Sequence, residues 1–295
     1  MGKIYACSDI HGQYEKYMKL WDIVTDDDEL YIIGDVIDRG PDGMRILTDI
    51  MGRKNVTFII GNHECMMYYA LFSEDDASES HDPEAYGKKK WFEIWTRSNN
   101  GGTLTHADYT ANYADRGDEI AGFLQQCPVA VDVAVGKKKY VLSHAMPDME
   151  RIGEVAGDRL FKSMEVDSIV WDSPFEILEG TAPIAVDEGR VMDAGDRFVF
   201  PLMDLQHVPA YLKPPIECWD ENVTYIVGHV IVQRLSSPKM IRVPFYDNVA
   251  GDEKVVEFLD IDGGLAAYKH YGQGGLLDSL GLILYSLSDD KAMYL

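Results

Sequence analysis

Three short apolar runs near the start of the chain each end in a polar cluster and lead into a helical stretch. This repetition constrains the fold more than any other feature. Lys3–Ser8 (KIYACS), Glu29–Ile33 (ELYII) and Val56–Ile60 (VTFII) read as buried strands, bounded by turn residues and too short for core helices. Between them, Tyr14, Tyr17, Met18, Trp21 and Val24 recur at helical spacing, and helices are also expected over about 44–51 and 66–72. The order β-α-β-α-β-α predicts parallel strands joined by crossover helices. Strand character returns at Val129–Val135 and Lys139–Ser143 around Gly136, and again at Thr224–Val227, Met240–Val243, Val255–Ile261 and Leu280–Ser286. The hairpin-like spacing of these later strands suggests antiparallel pairing. The expected class is therefore α/β, with two mixed sheets and outer helices in one domain over residues 1–295. A charged and then aromatic stretch over about 73–126 reads as an insertion: a loop, a helix from Trp91 that Asn99–Gly102 caps at its C-terminus, and a helix over Ala114–Gln126.

The polar clusters all follow strands. Asp9 and His11 sit in SDIHGQ; Asp35, Asp38 and Arg39 in GDVIDRG; Asn62, His63 and Glu64 in GNHE; His144 in SHA; and His229 in GHV. In sheets with parallel strands, ligands collect beyond the carboxyl ends of the strands. Carboxylate and amide oxygens mixed with imidazole nitrogens suit Mn²⁺, Fe²⁺ or Zn²⁺, whereas an oxygen-only set would suit Mg²⁺ or Ca²⁺. Asp9, His11, Asp35, Asn62, His144 and His229 are too many ligands for one tetrahedral ion, and suit two ions if one carboxylate bridges. Read singly, Asp9 could cap a helix, Asp38 and Arg39 could form a surface ion pair, and the two later histidines could be structural. The shared order and placement outweigh those readings. His81, His106, His207 and His270 have no motif around them and are read as structural.

Charge bears on partners. With 27 basic and 50 acidic residues the formal charge is -23, which repels nucleic-acid polymers and anionic membranes and leaves bound cations as the natural local source of positive charge. The four cysteines form no CxxC pair, which fits a reducing, cytoplasmic setting, and no apolar run is long enough for a signal peptide or a membrane span.

SDIHGQ, GDVIDRG, GNHE, the later strand-His and the GH together resemble the signature of the PPP-type metallophosphoesterases, which include Ser/Thr protein phosphatases of bacterial and lambda-phage type and symmetrical diadenosine tetraphosphatases. The resemblance implies the calcineurin-like fold, a pair of mixed sheets between helices. It also implies residue roles. Asp9 and His11 bind one metal, Asn62, His144 and His229 the other, and Asp35 bridges. Arg39, with Asn62, holds the phosphate. His63 is the general acid, oriented by Asp38, and a hydroxide between the metals attacks phosphorus in line. Mn²⁺ is the expected metal, with Fe or Zn also compatible. LDIDGG at Leu259–Gly264 looks like the family's closing strand and turn. Glu64 reads as a partner behind the ligands or a helix-start charge as readily as a catalytic residue.

The chain departs from the pattern at Ala145, Met146 and Val230, and VWDSPF at Val170–Phe175 lacks the Arg that relatives often carry there; Arg190 or Arg197 could substitute. The first expectation is thus a Ser/Thr protein phosphatase. The second is a hydrolase of diadenosine tetraphosphate or another nucleotide, with an adenine pocket from the Tyr86–Trp95 segment. A third is a non-catalytic scaffold, which the intact His63, Asp38 and Arg39 disfavour.

Overall fold

The structure, a computed structural model, describes residues 2–73, 87–163, 167–174, 192–193, 197–199, 203–204, 219–232, 240–247, 254–265 and 281–295. In chain order the elements are β1 (Ile4–Ser8), α1 (Tyr14–Lys19), β2 (Glu29–Ile33), α2 (Gly43–Gly52), β3 (Val56–Ile59), α3 (Asn62–Leu71), α4 (Lys88–Trp95), α5 (Gly102–Asn112), α6 (Gly117–Gln126), β4 (Ala130–Val135), β5 (Lys138–Ser143), α7 (Leu160–Ser163), α8 (Ser168–Trp171), β6 (Met192–Asp193), β7 (Arg197–Val199), β8 (Met203–Asp204), β9 (Val223–Val227), β10 (Met240–Asp247), β11 (Lys254–Asp260), β12 (Ile283–Ser286) and β13 (Lys291–Tyr294).

The three expected parallel strands form one side of a sheet ordered β13-β12-β1-β2-β3, with β12 antiparallel to β1. A second sheet runs β4-β5-β9-β11-β10-β7-β6, with β8 beside β10. Its hairpins β4–β5 and β10–β11 are antiparallel as expected, but β5, β9 and β11 lie parallel to one another. The two-residue period of β1–β3 explains the layering. Tyr5, Cys7, Leu30, Ile32 and Phe58 face one core, with Tyr17, Met44, Leu47 and Met66 of the helices. Ala6, Ile33 and Ile59 face the other, against Leu142, Tyr225, Val227 and Phe258 of the second sheet. The first sheet is thus covered on both faces, which is why its strands read as unbroken apolar runs.

Several expectations change. Asn99–Gly102 does not cap the C-terminus of a helix: α4 already ends at Trp95 with Thr96 as its cap, and Gly101, at φ 78°, begins α5. Helix α5 was not expected because only Gly102 and Thr105 in it are buried, so it carries no apolar stripe. Helix α4 starts at Lys88, ahead of the expected start at Trp91. Strand β13 is too short to show a pattern. The adenine pocket expected from Tyr86–Trp95 is not formed by Trp91 and Trp95, which are buried in the core; Tyr86 lies outside the described residues. Arg190 lies outside them too, as does the side chain of Arg197. No helix among the described residues is long and apolar enough to cross a membrane.

Candidate metal centre

The polar clusters meet at the carboxyl ends of parallel strands, and the backbone there is strained. Among the described residues, the non-glycine positions with positive φ are Asp9, His11, Asp35, Asp38, Arg39 and His229, plus Asp290 in the β12–β13 turn. Each costs roughly 1–3 kcal/mol, so six in one place mark a site that the surrounding structure holds in shape. Part of that restraint is a zipper between the loops after β1 and β2: Asp9 N donates to Gly34 O at 3.2 Å, His11 N to Asp35 O at 2.9 Å and Gly12 N to Val36 O at 2.8 Å. Gly34 itself is at φ 70°, and a Cβ there would stand 2.5 Å from His144 Nδ1. The first sheet and the histidine at the end of β5 approach each other only because that atom is missing.

Asp35 is the hub. His11 Nε2 lies 3.6 Å from Asp35 Oδ2, and His63 Nε2 lies 3.7 Å from the same oxygen. On the other side His144 Nε2 lies 3.4 Å from Asp35 Oδ1. Two groups of potential ligand atoms share this carboxylate, His11–Asp35–His63 and Asp35–His144–His229, with all atoms of a group within 4.8 Å of one another. Asp9 Oδ1 is 3.9 Å from His11 Nε2, and Asp9 Oδ2 accepts from His229 N at 3.1 Å. Asn62 Oδ1 is 3.0 Å from His144 Nε2. Every residue that the sequence named as a ligand is therefore in one cluster, and His229 is only half-buried where the others are buried.

The tautomers follow from the backbone. Ile37 O accepts from His11 Nδ1 at 2.9 Å and Ile33 O accepts from His144 Nδ1 at 3.1 Å, so the neutral rings keep their Nε2 lone pairs for the cluster. Asp38 Oδ2 accepts from His63 Nδ1 at 2.7 Å, which aims His63 Nε2 inward. Asp38 and Arg39 are not a surface ion pair: Asp38 is fully buried, while the Arg39 guanidinium donates through Nη1 to His11 Nε2 at 3.0 Å. Asp9 is no helix cap either, since Gln13 precedes α1.

Glu64, whose role the sequence left open, supports the ligands from behind. Its Oε2 accepts from Asp35 N at 2.9 Å and Gly61 N at 3.2 Å, and its Oε1 from Val36 N at 3.0 Å and Ile37 N at 3.3 Å. A buried carboxylate thus ties the loop after β2 to the start of α3. Glu64→Gln places an amide NH₂ against backbone donors, and is expected to lower stability by about 2–4 kcal/mol in urea unfolding of the metal-loaded protein. An unchanged midpoint would count against this role.

The donor set fits cations. Asp9, Asp35, Asp38, Glu64 and Asp262 are all buried here. Burial first, and then Asp262, push the Asp9 carboxyl well above the carboxylate range; burial, Asp9 and Glu64 do the same to Asp35. Burial pushes the imidazoles of His11, His63 and His144 well down. Asn62 Oδ1, His144 Nε2 and the Asp35 oxygens face one another with no proton between them; turning the amide over would relieve this with hydrogen bonds, and a cation would relieve it by coordination. Neutral imidazoles and crowded anionic oxygens are what a divalent ion needs. Asp262 was not named as a site residue. Its signal was LDIDGG, whose strand proves to run parallel to β9.

A family model of the calcineurin-like phosphoesterases matches residues 2–171. The chain belongs to this family. Among curated relatives it is similar to a symmetrical bis(5'-nucleosyl)-tetraphosphatase of Wigglesworthia glossinidia brevipalpis, 36% identical over 64 residues, which is 20% of this chain and 24% of that protein. To a symmetrical bis(5'-nucleosyl)-tetraphosphatase of Cellvibrio japonicus it is 31% identical over 118 residues, 37% of this chain and 42% of the relative. These matches span less than half the length of either relative. Among solved structures, a metallophosphoesterase from Sphaerobacter thermophilus aligns over 99% of this chain and 88% of its own at 11% identity and a TM-score of 0.41. A cold-active protein-tyrosine phosphatase of a Shewanella species aligns over 100% and 80% at 15% identity and a TM-score of 0.42. The matched span contains the clusters after β1, β2, β3 and β5 but not the one after β9.

Proposed function

We propose that this calcineurin-like phosphoesterase hydrolyses phosphate esters with two divalent cations, Asp9 and His11 holding one, Asn62, His144 and His229 the other, and Asp35 both. The sharing of the Asp35 carboxylate between two ligand groups carries this reading. Mn²⁺ is the proposed metal, and Fe or Zn would accept the same donors. When bound, such ions neutralise phosphate charge and lower the pKa of water toward neutrality, so that a nucleophile exists at cellular pH.

The protein's own groups do the rest. Arg39, on the loop after β2, presents a planar fork for two phosphate oxygens and would exchange its contact with His11 for one with substrate. The Asn62 side chain would add a further contact. His63 would donate a proton to the departing oxygen from Nε2; Asp38, on Nδ1, keeps the ring oriented and opposes the burial that lowers its pKa, and an anionic substrate beside the ring would favour the protonated form further. The chain is read as one domain over 1–295 with the segment at about 73–126 inserted into it, in a cytoplasmic setting that fits the free, buried thiols of Cys7, Cys65 and Cys127.

The substrate we propose is phosphoserine or phosphothreonine in a protein. A net charge of -23 opposes a dinucleoside polyphosphate more than a phosphopeptide with basic flanks, and Trp91 and Trp95 are buried rather than offered to an adenine. The relatives favour the second reading, a dinucleoside tetraphosphate. Assays with Mn²⁺ on p-nitrophenyl phosphate, a phosphothreonine peptide and diadenosine tetraphosphate decide between them. Turnover of the peptide in excess of the dinucleotide is expected. The reverse order would replace the first reading with the second, and no turnover of any of the three would remove both in favour of a non-catalytic scaffold.

A further inference from the structure

Asp38 and Arg39 belong to the loop after β2, but the insertion grips them. Trp95, the last residue of α4, is fully buried, and its Nε1 donates to Asp38 Oδ2 at 2.7 Å. That same oxygen accepts from His63 Nδ1, also at 2.7 Å. From α5, Thr105 Oγ1 accepts from Asp38 N at 3.0 Å, and in the turn before it Gly101 O accepts from Arg39 N at 3.4 Å. Both gripped residues are in the left-handed region, at φ 65° and 63°.

The glycine pair makes this approach possible. A Cβ at Gly102 would stand 2.5 Å from Trp95 Nε1, and one at Gly101 would stand 2.9 Å from Arg39 N. The turn and the indole therefore fit together only without those atoms. A tryptophan that merely filled the core would need no such partner; this one spends its only donor on a buried carboxylate that is already bonded to a histidine.

We infer that Trp95 is a positioning residue for proton donation, and that the segment from Trp95 to Thr105 is a clamp that sets the Asp38–His63 pair and the Arg39 backbone. Two donors on one carboxylate oxygen leave the Asp38 side chain a single orientation, and that orientation fixes where His63 Nε2 points. The inference rests on the hydrolase reading above and adds to it a residue from outside the strand-end motifs.

Trp95→Phe keeps most of the ring and removes the N–H. The test compares p-nitrophenyl phosphate, whose leaving group needs little help from a proton, with phenyl phosphate, whose leaving group needs more. The variant should lose about tenfold in kcat on phenyl phosphate and less than about threefold on p-nitrophenyl phosphate, the scale of one hydrogen bond to a charged group. Metal content should not change. In a His63→Asn background, Trp95→Phe should cost nothing further on phenyl phosphate. If Trp95→Phe does not fold, Thr105→Val is compared on the same two esters, with the same selective loss expected. Equal losses on both esters, or an undiminished loss in the His63→Asn background, would overturn the inference and leave a packing role. Wild-type protein inert toward both esters would instead overturn the hydrolase reading, and the inference with it.

Discussion

Asp35→Asn should release both cations and lower kcat by at least about a thousandfold, because the charge that stabilises the transition state, worth several kcal/mol, leaves with the ions. Asp35 lies near His11, His63 and His144 together, at 3.4–3.7 Å. The same substitution should affect the metal-free protein in the opposite direction. Burial and the neighbouring Asp9 and Glu64 raise the folded-state pKa of Asp35. A carboxyl shifted upward costs the fold stability once the pH exceeds the ordinary carboxylate range, and an amide removes that cost. At neutral pH, then, metal-free Asp35→Asn should melt above metal-free wild type, while Mn²⁺ should raise the melting temperature of wild type alone. Metal analysis and thermal melts with and without chelator check both halves. A variant that retains two equivalents of metal would contradict the bridging role.

His63→Asn should keep its metal and lose about 10²–10⁴-fold in rate on esters with poor leaving groups, the range of general acid catalysis, with a far smaller loss on p-nitrophenyl phosphate. The geometry motivates the separation: His63 Nδ1 is committed to Asp38, and its Nε2, 3.7 Å from Asp35 Oδ2, is the ring atom that faces the cluster. A plot of rate against leaving-group pKa should steepen in the variant. An unchanged slope would remove His63 from the acid role. Loss of metal from the variant would recast it as a ligand, which its place in one of the two candidate groups makes a real alternative outcome.

Much of this site was legible before any fold was considered. Asp9, His11, Asp35 and Asn62 lie next to apolar runs whose length and β-branched content mark them as strands, and strand ends are where such sheets gather ligands. His144 and His229 were harder, since a histidine after a strand has no local signature. What unites them with Asp35 is the parallel course of β5 and β9, which a reading of spacing as hairpins did not anticipate. Glu64 stood in its motif with its role open, because a buried carboxylate serving four backbone N–H groups looks, in sequence, like any acid in a first helical turn.

The insertion shows the same limit. Trp91 and Trp95 read as part of a segment that could supply an adenine pocket, yet both are core, and Trp95 reaches the site. The run Asn99–Gly102 looked like the end of a helix, because glycine favours that position on its own account. Its glycines instead answer to Arg39 and Trp95, side chains that come near only when the chain folds.

Residue order by itself determined the strand–cluster–helix rhythm, the kinds of donor and their place at strand ends, since periodicity and turn chemistry act over a few residues. The tertiary structure alone decided which donors gather around Asp35, which ring nitrogen His11, His63 and His144 turn inward, and which distant residues hold Asp38. These depend on contacts between segments far apart in the chain, made through close approaches that leave no mark on local pattern.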